Sequence, residues 1–339
     1  MRLIERLRLS SWWEHKLSPV LATLYAAAAL LSVPFASLWR EAGFALLALA
    51  ICASYVSVLN DLTDAKEDRA SGKPDRWNGS TVGAVLCLLA CIAAGIGVLI
   101  VLRNDPLLAS VYLLSWLSFA LYSVAPIRLK VRGVWGVLAD ACGAHLFPTL
   151  FAVILIYHWT PREGPSAWTI AVTLWAFAAG MRGILWHQLE DFASDERIGL
   201  RTFAGLHGPK SAQRVGVIAF WVEAAAFAAM LWLTRNALAA GFLALYGLFA
   251  LARRQLLGIG LAVITPHPAV RMAMAEYYIV LFPLAFLLTA AWQQPLMLVL
   301  LLLHAMLFSR QSLYLVHEIV LMRRTGLSGG GSTTAAQDQ

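Results

Sequence analysis

Apolar runs of roughly 18 to 25 residues, each long enough to cross about 30 Å of hydrocarbon as α-helix, recur along the whole chain. No other feature limits the fold as tightly. In lipid every backbone N–H and C=O must be bonded within the protein, so only helices and closed barrels span. These runs are continuous and do not alternate polar with apolar, which predicts helices. A mean hydropathy of +0.70 and a charged fraction of 13% agree. The expected fold class is an all-α, polytopic transmembrane helical bundle of nine to ten spans. They fall near 17–37, 42–60, 81–102, 107–125, 134–157, 167–188, 214–234, 237–255, 272–290 and 294–316. Arg253 and Arg254 crowd the end of the eighth, and one of the last three could cross only partly.

Three units follow from this map: a basic N-terminal segment 1–16, a membrane domain 17–324, and a Gly/Ser/Thr-rich tail 325–339 expected to be disordered. No cleavable leader is expected, because 1–16 is basic, interrupted and lacks a small-residue cleavage site. With the N-terminus cytoplasmic, Arg40, Arg103, Arg162 and Arg235 fall outside, and the rest of the 26 Lys and Arg lie in or near the inner loops and tails. That asymmetry sets the orientation. It also disposes of a nucleic-acid partner for the net charge of +7, since the bases divide among separate loops at one membrane face. Cys52, Cys87, Cys91 and Cys142 fall in or beside spans without a CxxC spacing and read as small core residues. Trp12, Trp13 and Trp77 read as interfacial anchors.

The inner face carries the elaborate connections, near 61–80, 126–133 and 189–213. In the first, Asn60, Asp64 and Asp68 are spaced i, i+4, i+8 and share one helix face, with Asp61 beside them. In the third, Asp191 and Asp195 are again i, i+4, at the inner end of the sixth span. If the two helix ends face each other, five or six oxygen ligands converge, a donor set that Mg²⁺ selects. Lys66, Arg69, Lys73, Arg76, Arg197 and Arg201 surround them and suit a multiply charged phosphate. One such loop alone is more simply a solvated face with i,i+4 ion pairs; two at equal depth are not.

The second connection follows Tyr122 and Ser123, in the last turn of the fourth span before Pro126, and carries Arg128 and Lys130. Hydroxyls beside two cations could complete a diphosphate cradle, or form a positive-inside anchor. Asp140, His145, His187 and Gln188 are polar groups in the inner half of their spans. Asp140 or His187 could orient or deprotonate a substrate, or serve an interhelix hydrogen bond. Glu223, Glu276 and His304 carry only the general expectation for ionisable groups in membranes.

Asn60-Asp61-Leu62-Thr63-Asp64-Ala65-Lys66-Glu67-Asp68 resembles the NDxxDxxxD signature of the UbiA superfamily of intramembrane prenyltransferases. Asp191 to Asp195, leading to Gly199 and Thr202, is similar to that family's DxxxD–GxxT motif, and Tyr122 to Lys130 to its YSxxPxRxK segment. The resemblance covers roughly residues 15 to 290. It implies a helical bundle, usually of nine spans, around a central cavity open to lipid. It also implies Mg²⁺ held by Asn60, Asp64, Asp191 and Asp195, with Asp61 and Asp68 next. Tyr122, Ser123, Arg128, Lys130 and Arg69 become diphosphate contacts by the same carry-over, and Arg201 joins them by its place beside the second motif.

The expected activity is that of a multi-pass membrane enzyme with cofactor Mg²⁺. It ionises a prenyl diphosphate donor and transfers the prenyl group to an aromatic or other lipophilic acceptor. Asp64, Asp191, Asp140 and His187 are its candidate catalytic residues. A terpene cyclase on the same scaffold, needing no acceptor, is the alternative. An ion-coupled transporter fits worse, because the acids sit at one face and not at the midplane.

Overall fold

The computed structural model describes residues 3–34, 38–159 and 164–329. After short turns at Leu3–Arg6 and Leu9–Trp12 comes a π-turn, Trp13–Leu17, that runs into α1, Ser18–Leu30. Then follow α2 (Trp39–Thr63), α3 (Ala65–Ala70), α4 (Thr81–Val101) and α5 (Pro106–Ser123). Helix α6 (Val134–His158) contains a π-turn at Cys142–Leu146. Next are α7 (Ser166–Glu190), α8 (Phe192–Arg197), α9 (Phe203–His207), α10 (Pro209–Thr234) and α11 (Ala237–Leu257). The chain closes with α12 (Tyr277–Gln293), α13 (Leu298–Leu307) and α14 (Ser309–Gly329).

Helices begin where a side chain takes up a free backbone N–H. Ser80 Oγ accepts from Gly83 N–H at 3.2 Å ahead of α4. Asp105 Oδ1 accepts from Leu108 N–H at 3.0 Å ahead of α5, whose first residue is Pro106. Asn236 Oδ1 accepts from Ala239 N–H at 3.0 Å ahead of α11. Gly258, at φ 69°, ends α11 in the left-handed region that glycine reaches without strain.

Among the described residues seven helices are long and apolar enough to span: α2, α4, α5, α6, α7, α10 and α11. The remaining expected spans are realised differently. The first is α1, 13 residues long, behind a π-turn that carries Glu14, His15 and Lys16. The ninth is the shorter apolar helix α12. The tenth, 294–316, is not straight: the chain bends by 78° between α13 and α14, and the pair makes an eighth span only if counted as one. Mean hydropathy over a window cannot register such a bend. A two-stranded parallel pairing, Gly260–Ala262 with Val270–Met272, fills the α11–α12 connection and was not expected. Helix α14 reaches Gly329, five residues into the segment expected to be disordered; 330–339, Arg162 and 35–37 lie outside the described residues.

In lipid, helices associate through close packing more than through exclusion of water. Ala26, Ala27 and Ala28 of α1 are fully buried against α6 and α12. Helix α7 runs along α10 and meets α6 so tightly that a Cβ on Gly180 would lie 2.9 Å from the Ala141 backbone. Charge is also packed inside. Arg182 of α7 grips Glu223 of α10 with two hydrogen bonds of 2.6 and 2.7 Å. Arg253 of α11, wholly buried, bridges Glu276 at 2.6 Å and Glu318 of α14 at 2.8 Å. His304 of α13 is likewise structural, 3.2 Å from the Tyr25 hydroxyl.

Large apolar side chains remain on the outside, among them Trp39, Trp221, Trp232 and Trp292, as a lipid-facing bundle requires. Two of the expected interfacial tryptophans are instead buried: Trp12 donates to Leu7 O at 2.8 Å and Trp77 to Asp61 Oδ2 at 3.2 Å. Trp13 stacks on Phe308. All four cysteines are free thiols.

Candidate active site

The three singled-out connections all leave the C-terminal ends of helices, α2, α5 and α7, and meet at one end of the bundle. Helix α2 ends at Thr63, yet Asp64 N–H still bonds Asn60 O and Asp68 N–H bonds Asp64 O, both within 2.9 Å. The helical rise therefore continues through the junction with α3 and keeps Asn60, Asp64 and Asp68 on one side. The α7–α8 junction repeats this: Asp191 N–H bonds His187 O and Asp195 N–H bonds Asp191 O, each at 2.9 Å.

The two sets face each other across a cavity of about 170 Å³, lined by Asn60, Asp64, Asp68, Asp191 and Asp195. Tyr122 and Lys130 wall it from the α5–α6 side, and Lys73, His187, Gln188 and Thr202 complete it. Ser123 Oγ donates to Asn60 Oδ1 at 2.5 Å, tying the α5 end to the first acidic set. Lys130 and Arg128 both donate to Asp64 Oδ1, Arg128 at 3.2 Å. Arg128 also holds Glu67 at 2.9 Å, which keeps that carboxyl below its ordinary range. Lys130 is placed by a close approach: a Cβ on Gly136 would lie 2.8 Å from Leu129 O, so only glycine lets this turn pack on α6.

Across the cavity Lys73 Nζ reaches Asp191 Oδ2 at 3.0 Å and links the two acidic sets directly. Burial, and then the neighbouring Asp191 carboxylate, push Asp195 up to about 6. Carboxylates that resist ionising beside each other are the setting in which a cation is favoured. The donors are hard oxygens and fit Mg²⁺ in kind. They are divided between two walls, and among the described residues no three His, Cys, Asp or Glu groups converge on a single point.

Several expected residues lie elsewhere. Asp61 turns away from the cavity, into ion pairs with Arg8 and Arg76, each at 3.3 Å, and accepts from the Trp77 indole. It is absent from the wall of the cavity between the two acidic sets, and three donors hold it. Arg69 lines a separate cavity of about 130 Å³ with Asp61 and Trp77. Arg201 is exposed and lines neither cavity, so the structure does not bring it beside the two acidic sets. Asp140 lies outside the pocket wall but near enough to Lys16 and His187 to feel their charges. The chain's pairing of Lys73 with Asp191, 118 residues apart, had no signal beyond the basic character of its loop.

A second, larger chamber of about 680 Å³ adjoins the first. Lys16, His145, Trp175, Trp186 and Tyr278 line it, together with Arg310, Gln311 and Tyr314 of α14. His187 lines both chambers, 3.3 Å through Nδ1 from Glu190 Oε2.

Comparison with known proteins agrees with this fold. A model of the UbiA prenyltransferase family matches residues 19–258. The fold is similar to that of a UbiA homolog from Archaeoglobus fulgidus bound to GPP and Mg²⁺, with a TM-score of 0.54 at 18% identity over 85% of this chain and 96% of that one. The same homolog bound to DMAPP and Mg²⁺ gives 0.55 at 17% identity, over 85% and 98%. Bound to Cd²⁺ it gives 0.51 at 15% identity, over 94% and 98%. No curated protein matches the chain.

Proposed function

The chain belongs to the UbiA prenyltransferase family, and from that premise we propose a Mg²⁺-dependent membrane enzyme that ionises an isoprenoid diphosphate and transfers the prenyl group to an aromatic or other lipophilic acceptor. One observation carries the reading: two acidic sets and the cations Lys73 and Lys130 line a single small cavity, Arg128 binds Asp64 at its wall, and a large, partly aromatic chamber adjoins it. The archaeal homolog of similar fold was solved with GPP or DMAPP and Mg²⁺ in place, which supports the same donor class here.

Asn60, Asp64 and Asp68 on one wall, and Asp191 and Asp195 on the other, would hold the metal. When bound, Mg²⁺ neutralises diphosphate charge and makes pyrophosphate a better leaving group. The chain's own residues do the rest. Lys130 and Arg128, which rest on Asp64, and Lys73, which rests on Asp191, would turn their charge onto the phosphate oxygens of a bound diphosphate. Tyr122 donates from the cavity wall. As the C–O bond breaks, its electron pair leaves with pyrophosphate and an allylic cation remains. The faces of Trp175, Trp186 and Tyr278 in the adjoining chamber attract that cation and keep water away. Attack by the acceptor forms the new bond to the prenyl carbon and releases a proton. His187, at the junction of the two chambers, takes it on the ring nitrogen left free by Glu190. The Asp-rich end of the bundle and the N-terminus face the cytoplasm in this reading, following the basic inner loops.

Purified protein given Mg²⁺ and geranyl, farnesyl or geranylgeranyl diphosphate, first without acceptor, tests the choice of reaction. Prenylated product that forms only after a phenolic or quinone precursor is added supports transfer. A cyclic terpene as main product without acceptor would sink it in favour of cyclisation.

A further inference from the structure

We infer that the cleft between α10 and α11 is a binding site for an anionic glycerophospholipid, with one acyl chain in the cleft and the phosphate on Arg235. The inference goes beyond the prenyl-transfer reading and does not depend on it. Helices α10 and α11 follow each other through a two-residue turn, Arg235 and Asn236, an arrangement that normally brings antiparallel helices into contact. Here they part. Helix α10 packs along α7, and α11 packs on α12 and α14 instead. Between α10 and α11 lies a cavity of about 840 Å³, separate from both the acidic cavity and the aromatic chamber.

The cleft is apolar along its length and charged at one end. Phe220, Ala224, Phe227 and Leu231 recur at helical spacing and share one face of α10, and Ala240 and Leu243 of α11 line the other wall. Roughly 22 Å of helix axis separate Phe220 from Arg235, more than the half of a 30 Å hydrocarbon core that one leaflet's chains fill. Arg235 stands at the mouth, at the end of α10 remote from Pro209, beside the exposed Trp232. Tryptophan at headgroup level marks such a membrane boundary. No internal carboxylate answers the arginine's charge. Between residues 209 and 275 the only acidic residue is Glu223, and Arg182 already holds it with two hydrogen bonds. Among the described residues the Arg235 side chain has neither an ion pair nor a hydrogen bond. A phosphodiester with one negative charge supplies the missing partner. A metal-bound diphosphate does not suit this end, because no Asp or Glu lines the cleft. Phe227 is the partition. Its ring centroid lies 4.9 Å from that of Tyr278 and 6.3 Å from that of Trp175, two residues of the chamber wall. The acyl chain therefore leans on the back of the chamber without entering it.

Native mass spectrometry of the delipidated full chain, given phosphatidylglycerol or phosphatidylcholine of the same acyl chains, reads the site directly and needs no turnover. The first phosphatidylglycerol binds about tenfold tighter than the first phosphatidylcholine, the order expected for one charge-assisted hydrogen bond. Arg235→Gln removes that preference and Arg235→Lys keeps most of it. Arg103→Gln, which removes an exposed cation from the α4–α5 turn, leaves it unchanged. Ala228→Phe, at an exposed position of the cleft wall, weakens both lipids several-fold with the unfolding temperature held. Equal binding of the two lipids overturns the inference. So does a preference that survives Arg235→Gln, or one that falls as far in Arg103→Gln, the mark of surface charge alone. Undiminished binding to Ala228→Phe would put the lipid outside the cleft, and a dimer that takes up no lipid would give the cleft to a second copy of the chain.

Discussion

Asp61 and Asp64 stand three residues apart in one motif, yet the fold gives them different tasks. Asp64 faces the cavity with Lys130 and Arg128 on one of its oxygens, a pairing that a stronger cation can displace. Asp61 is 5% exposed at its side chain and bound to Arg8, Arg76 and Trp77, so it ties the N-terminal turn to the 61–80 connection. Asp61→Asn is therefore expected to lower stability by about 1–3 kcal/mol, the arginines being partly exposed, while kcat stays within about tenfold of wild type. Thermal unfolding and turnover on the same preparation check it; loss of turnover with unchanged stability would return Asp61 to the metal. Ser123→Ala removes the 2.5 Å hydrogen bond that steadies Asn60, and a several-fold rise in the Mg²⁺ concentration needed for half-maximal rate should follow. The i, i+4, i+8 spacing made the shared face of Asn60, Asp64 and Asp68 legible in the sequence. It could not show that Asp61, one step round the helix, meets a partner from residue 8 or 76.

At the scale of elements, the site depends on how closely α7 approaches its neighbours. Gly180 lets α7 lie on α6, and Arg182, two residues on, locks α7 to α10 through Glu223. Gly180→Val places carbon against the Ala141 backbone, which cannot yield as a side chain can. A loss of about 1–3 kcal/mol is expected, seen as a lower unfolding temperature and reduced yield in detergent. Glu223→Gln leaves Arg182 charged in an apolar interior and should cost about 3–5 kcal/mol, whereas replacing both by apolar residues should cost much less. Comparison of the single and double variants by thermal unfolding checks this. Equal losses in both would mean that packing, not charge, holds α7 to α10. Glu223 was visible in the sequence only as an ionisable residue in a span; its partner is 41 residues away and no local pattern announces it. Helix ends were more legible, since Ser80, Asp105 and Asn236 act locally. The bend between α13 and α14 was not, because a run of apolar residues reads alike whether straight or broken by 78°.

For the molecule as a whole, the sequence carries the membrane class and the gathering of three motif-bearing connections at one face, because hydropathy and charge asymmetry are whole-chain properties. It does not carry the division of that end into two chambers joined at His187, which arises only when α7, α12 and both chain ends pack together. The account built on this division is that the small acidic cavity ionises the donor and the large one receives the products of that step. Pyrophosphate release from geranylgeranyl diphosphate by the wild type, with Mg²⁺ and with a chelator, set beside Asp64→Asn and Asp191→Asn, tests that claim most directly. The account predicts release by the wild type only with Mg²⁺, and a loss on the order of 10²-fold or more in each variant with folding retained. Release that persists in the chelator, or near-normal release in either variant, would contradict it.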